Sequence, residues 1–147
     1  MANTSLLDRF SPSTRDALER SKVSVAAFKH SHITPEHLLL GMLESSDATL
    51  SKALALGKAK PAQLKILVQR HLRLGEYEIA ADQLTFSERA KRVLETAREE
   101  SVRAQNAQIG PEHLLLGLIR VRNTVASAVL AAVDLEADGV RAELARH

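Results

Sequence analysis

A chain of 147 residues holds one domain, or two small halves that share a core. Cysteine is absent, which excludes disulfides, thiolate nucleophiles and cysteine zinc sites and suits a reducing cytosol. The pI is 9.2, but 20 basic side chains stand against 18 acidic ones, and three Phe, one Tyr and no Trp offer few platforms for stacking bases, so nucleic-acid binding is only a remote alternative.

In chain order, the opening MANTSLLDRFSP has neither a basic n-region nor an apolar h-region, so no signal peptide is expected. Ser11 followed by Pro12 reads as an N-cap with proline at the first helical position, and Ala17, Leu18, Ser21 and Val25 mark one face of that helix. The polar loop His30-Ser31-His32 leads to Ile33. Thr34 then caps a second helix that starts at Pro35. Asp47 is a candidate cap for a third helix carrying Leu50, Ala53 and Leu54, with Gly57 as its stop. A fourth helix is expected from about Pro61, with Leu64, Leu67, Val68 and Leu72 at helical spacing. Leu72 to Thr85 connects to a second series. Ser87 caps a helix with Val93, Leu94, Ala97 and Ser101 on one face, Gly110 and Pro111 open the next, and Asn123 is the candidate cap after that. The basic stretch Arg89–Arg103 is interleaved with Glu95, Glu99 and Glu100 and reads as a salt-bridged, solvated face. The most apolar run, Val125–Val133, is about half a membrane span, so a soluble cytoplasmic protein with no membrane contact is expected.

The two series are one sentence stated twice. ITPEHLLLGML recurs as IGPEHLLLGLI, and an offset of 76 aligns residues 10–71 with 86–147 without a gap. Seventeen of the 62 pairs are identical, which makes the unit about 60 residues long. A unit of that size buries a core only marginally. The expected fold is therefore all-α: two pseudo-symmetric four-helix repeats, residues 10–71 and 86–147, joined by 72–85 and packed as one compact domain over 1–147.

No catalytic or metal-binding constellation stands out in the sequence. Glu36-His37 and Ser11 supply the residue types of a hydrolytic triad, but adjacent helical residues diverge by about 100°, and no G-x-S-x-G elbow is present. His30, His32 and His37 could ligate a metal, yet the copy has Asn106 and Gln108 at the first two positions. His37 and His113 are expected as helix-end or packing residues. No glycine begins a G-x-x-x-x-G-K-[ST] phosphate loop. The expectation is no catalytic residue, no metal and no cofactor.

FSERAKRVLETAREES followed by IGPEHLLLGLI resembles the second repeat of the Clp N-terminal domain, the helical double repeat at the front of Clp AAA+ unfoldases, and is most similar to the ClpC branch. FSPSTRDALERS through ITPEHLLLGML resembles the first repeat, further drifted. The resemblance implies a non-enzymatic protein-interaction domain of the Clp chaperone-protease system that receives substrates and adaptors for a Clp unfoldase or Clp protease assembly. It also implies a phosphoarginine site in each repeat, built from the hydroxyl after the opening phenylalanine and the glutamate of the Glu-His pair: Ser11 with Glu36, and Ser87 with Glu112. The family commonly has threonine at the hydroxyl position and before the glutamate, where this chain has serine and proline. Serine at an N-cap and an acid in a first turn are also what plain helix capping selects. Without a motor, the chain reads either as the front end of an unfoldase or as a stand-alone accessory or adaptor that docks on a Clp assembly and binds no phosphoarginine.

Overall fold

The computed structural model describes residue 6, residues 8–45 and residues 47–146; His147, the last residue of the second repeat, lies outside them. Among the described residues there are eight α-helices and no strand: α1 (Pro12–Ala27), α2 (Pro35–Leu43), α3 (Ala48–Leu54), α4 (Pro61–Gln69), α5 (Glu88–Arg103), α6 (Pro111–Arg120), α7 (Val125–Ala132) and α8 (Ala137–Leu144). A single 3-10 turn, Ala81–Gln83, interrupts the connection between α4 and α5.

The caps explain the boundaries. Ser11 Oγ accepts from the Thr14 N–H and Ser87 Oγ from the Ala90 N–H, each at 3.2 Å, satisfying one orphan donor of α1 and α5. Prolines at the first position start α1, α2, α4 and α6, where the missing N–H costs nothing. The histidine of Pro-Glu-His reaches back to its own cap: His37 Nδ1 accepts from the Thr34 N–H and His113 Nδ1 from the Gly110 N–H, both at 2.9 Å. This is the returning half of a capping box, with imidazole in the place usually taken by glutamate or glutamine. The following leucines, Leu38–Leu40 and Leu114–Leu116, are core. Gly41 and Gly117 end the motif because α2 and α6 cross their partners there. A Cβ on Gly41 would press into the Ala17 carbonyl oxygen of α1, and one on Gly117 would come within 2.5 Å of the Val93 carbonyl oxygen of α5. The proline, histidine, leucines and glycine of Pro-Glu-His-Leu-Leu-Leu-Gly thus serve the helix start, the core or a helix crossing.

The halves interlock. α1 packs on α2 and α5 on α6, and the two pairs meet where α2 and α6 touch. The third helix of each half crosses over: α3 packs on α6 and α8, α7 on α2 and α4. Short parallel pairings tie the openings together. The Ser11 N–H donates to the Ile109 carbonyl and the Ile109 N–H to the Arg9 carbonyl, while Ile33 pairs in the same way with Thr85 and Ser87. Phe10 and Ile33, like Ile109, are fully buried at this seam.

Three expectations need correction. Asn123 does not cap α7; Thr124 does, its Oγ1 accepting from the Ser127 N–H at 2.9 Å, while Asn123 takes a left-handed conformation with φ 65°. Asp47 does cap α3. Gly57 is not the stop of α3, which ends at Leu54; a Cβ there would instead crowd Leu135, 2.9 Å away. The charged face of α5 is not wholly solvated. Exposed pairs such as Arg98–Glu95 do occur, but Glu100 is only 2% exposed and is gripped by Arg141 through two bonds of 3.0 and 2.7 Å and by Arg120 at 3.0 Å. Burial alone would raise the Glu100 carboxyl, yet the arginines outweigh it and hold the group below its ordinary range.

Candidate functional site

The four expected residues are all half-buried, but the structure pairs them across the repeats. Because the Ser87 N–H bonds to the Ile33 carbonyl, Ser87 sits at the entrance of α2. Glu36 and Ser87 therefore line one cavity of about 380 Å³, together with Thr34, Arg89, Asn123 and Thr124. By the same seam, Ser11 sits at the entrance of α6 beside Ile109, three residues from Glu112. The partners are exchanged: Glu36 faces Ser87, and Ser11 belongs to the Glu112 side.

Three helix N-termini converge on the Glu36–Ser87 cavity: those of α2, α5 and α7. Their dipoles and first-turn N–H groups favour an anion. Among the described residues the N–H groups of Glu88, Arg89 and Val125 carry no hydrogen bond, and Arg89 adds a guanidinium at the rim. Glu88 also lines the cavity; its carboxylate lies 3.5 Å from Lys91. Glu36 has a structural duty as well. Its Oε2 accepts from the Ala126 N–H at 3.1 Å, capping α7 from the other half of the molecule, and its second oxygen accepts no hydrogen bond from a described residue.

The twin glutamate is placed differently. At the position matching Ala126, the Leu50 N–H is capped by Asp47 Oδ1 at 2.9 Å, so Glu112 has no such donor to reach for. With glycine at 110 where the first repeat has Thr34, the Glu112 carboxylate folds back over its own helix start, into the space a side chain at 110 would occupy. Burial first, and then the like charge of Asp47, push its carboxyl above the ordinary range, against a lowering bond from its own backbone. An offset of 76 also puts Pro12 where the cavity has Glu88, Ser13 where it has Arg89 and Asp47 where it has Asn123. At these positions the Glu112 side thus has one N–H fewer, no counterpart of Arg89, and Asp47 as its second acid in place of Glu88. The two sides are unequal.

His37 and His113 face inward and serve the caps. His37 Nδ1 accepts from the backbone, so its Nε2 carries the proton and donates to His30 Nδ1 at 2.8 Å; His30 Nε2 in turn donates to the Arg73 carbonyl. Burial, helped by neighbouring His30, lowers His37 to about 4. Burial lowers His113 too, opposed by the charge of Glu100. Among the described residues no group of three or more metal-binding side chains occurs. No single helix there is long and apolar enough to cross a membrane.

Sequence reasoning missed Arg89, Asn123 and Thr124 as cavity residues, since all three come from the opposite half to Glu36. It also missed Glu100, whose counterpart is Ser24; an acid three residues after buried Ala97 and next to Ser101 was the available signal.

The Clp repeat (R) N-terminal domain profile matches residues 9–133 and 85–147. The chain is 29% identical over 141 residues to the ATP-dependent Clp protease ATP-binding subunit ClpC of Staphylococcus saprophyticus, and 28% identical to that of Staphylococcus epidermidis. Each alignment covers 96% of this chain but 17% of the relative, so the chain spans about a sixth of these proteins. Its fold is that of the N-terminal domain of ClpD from Arabidopsis thaliana (TM-score 0.72, 23% identity, 95% of this chain and 96% of that one). It is likewise that of the N-domain of ClpV from Vibrio cholerae (TM-score 0.76, 16% identity, 95% and 87%). With the duplicated helical unit, the interlocked halves and a family match over nearly its whole length, the chain belongs to the Clp N-terminal repeat family.

Proposed function

We propose that this domain is a non-enzymatic protein-interaction module that receives substrates or adaptors for a Clp unfoldase or Clp protease assembly, and that its Glu36–Ser87 cavity holds the side chain of a phosphorylated arginine. The observation that carries this is the meeting of a carboxylate with three helix N-termini in one cavity of about 380 Å³. The guanidinium end would bond the open oxygen of Glu36. The phosphoryl end would lie against the Ser87 hydroxyl, the Glu88 and Arg89 N–H groups and the Arg89 side chain. Each end rejects a different competitor: arginine lacks the anion and phosphoserine lacks the cation. The repeat units, 10–71 and 86–147, would contribute jointly to this one cavity.

The test is binding of a labelled arginine-phosphorylated peptide, read by fluorescence anisotropy. Glu36→Gln keeps an oxygen for the Ala126 N–H but loses the charge, and Ser87→Ala loses the hydroxyl. Each should weaken binding at least tenfold, since hydrogen bonds to charged groups contribute about 1.5–3 kcal/mol. Unchanged affinity in Glu36→Gln would remove the site.

The Glu36–Ala126 bond favours a second reading, in which Glu36 is only a cap and the protein is an accessory that docks on a Clp ring without phosphoarginine binding. Co-sedimentation with purified unfoldase or protease rings, indifferent to added phosphoarginine, would support it.

A further inference from the structure

The edge of the Glu36–Ser87 cavity carries charge that helix formation does not call for. Arg89 is the second residue of α5, and Arg92 stands about one turn further along the same face. Both are exposed. A cation in the first turn opposes the helix dipole, so Arg89 is placed against the local electrostatics. Arg92 has an acid one turn away on either side, Glu88 and Glu95, yet each faces another cation: Glu88 lies 3.5 Å from Lys91 and Glu95 lies 2.6 Å from Arg98. Neither Arg89 nor Arg92 forms a hydrogen bond or ion pair with a described residue.

The first repeat makes the opposite choice. An offset of 76 puts Ser13 where α5 has Arg89 and Asp16 where it has Arg92, and Asp16 pairs with Arg20 at 2.8 Å. The two cations thus belong to the entrance that forms the Glu36–Ser87 cavity and not to its twin. They also adjoin it: Arg89 lines that cavity, Arg92 lines a neighbouring one of about 530 Å³ along α5, and Glu88 lines both. Three residues apart on a helix, their Cβ atoms are about 5–6 Å from each other. In an extended peptide, side chains two residues apart point the same way at about 6.5 Å. A peptide whose marked arginine enters the cavity with its phosphoryl end at Arg89 therefore brings the side chain two residues away within reach of Arg92. There the helix edge sets Arg89, Lys91 and Arg92 against Glu88, a positive balance that favours an acid.

We propose that Arg92, with Arg89 beside it, selects the sequence around the marked arginine: the cavity prefers a phosphoarginine with an acidic residue two positions away, whose carboxylate accepts from the Arg92 guanidinium. This rests on the phosphoarginine reading of the cavity and adds the chemistry of its client, an extended acidic segment. Arg89 meets the phosphoryl group, and Arg92 reads the neighbour.

The experiment titrates the 147-residue protein into three short labelled peptides, each with one central phosphoarginine among glycine and serine residues and with glutamate, glutamine or lysine at both positions two residues away. The glutamate peptide should bind about threefold more tightly than the glutamine one, the scale of an exposed ion pair, and the lysine peptide most weakly. The spread should shrink in about 0.5 M salt, which screens exposed charges. Arg92→Gln should bring the three peptides together, and Arg92→Glu should reverse their order. Lys52→Glu makes the same change in net charge as Lys-to-acid substitution anywhere on the surface, but on α3, away from both cavities, and should keep the order. Equal binding of the three peptides, abolished in Glu36→Gln, would overturn the acidic preference and leave the phosphoarginine cavity standing. An order that survives in Arg92→Glu, or is lost equally in Lys52→Glu, would overturn the role of Arg92. Binding by none of the three would refute the phosphoarginine reading itself, and this selectivity with it.

Discussion

Replacing His37 by glutamine should remove most of one step in the acid sensitivity of the fold while keeping the α2 cap. His37 is fully buried, and its Nδ1 must stay unprotonated to accept the Thr34 N–H. Its folded pKa lies near 4, below the usual 6.5 of the unfolded chain, because charging it would desolvate a cation beside His30. The unfolded state therefore binds the proton more readily. The stability due to neutral His37 is complete above pH 6.5 and is lost as pH falls towards 4. A gap of about 2.5 units at 1.36 kcal/mol per unit is worth about 3 kcal/mol in full, of which about 2 kcal/mol is gone by pH 5. Glutamine at the third helical position supplies an oxygen for the same N–H without titrating near these pH values. Urea unfolding at pH 7 and pH 5 measures the effect. Wild type should lose about 2 kcal/mol more than His37→Gln over that interval, and His113, shifted in the same direction, remains in both proteins and cancels. Identical pH dependence in the two proteins would refute the reasoning.

The two kinds of glycine should separate cleanly in chemical denaturation. Gly41→Ala drives a methyl into the α1 backbone and should cost about 2 kcal/mol or more, whereas Gly139→Ala, inside α8 with no atom nearby, should stabilise by about 0.5–1 kcal/mol. Arg141→Ala strips two bonds from buried Glu100 and should cost about 2 kcal/mol, partly cushioned by Arg120, as a lowered urea midpoint would show. In the accessory reading the phosphoarginine response vanishes, so Glu36→Ala should lower stability by about 1 kcal/mol through the lost α7 cap while leaving ring co-sedimentation unchanged.

Local signals carried much of this molecule. Caps at Ser11, Asp47 and Ser87 and the faces Ala17–Leu18–Ser21–Val25 and Val93–Leu94–Ala97–Ser101 depend on residues within a few positions of one another, and the structure has them in place. Where the sequence misled, the cause lies at long range. Asn123 matches Asp47 in the repeat, but Glu36 from the other half already caps Ala126, so α7 starts from Thr124 and Asn123 is turned into the left-handed region. Glu100 looked like one more charge on a solvated helix because Arg120 and Arg141 lie 20 and 41 residues away. The cavity is harder still to read. A repeat suggests that each copy holds its own site, and only the crossed pairing of Ile33 with Phe86 and of Phe10 with Ile109 shows that each entrance is built from both.

A calorimetric titration of the purified protein with free phosphoarginine, against arginine and phosphoserine, tests the central claim most directly. The unequal surroundings of Glu36 and Glu112 lead us to expect one dominant site per chain, silent towards both controls and abolished in Glu36→Gln. No heat with phosphoarginine, or equal heat with arginine, would contradict it and leave Pro-Glu-His as a capping device alone.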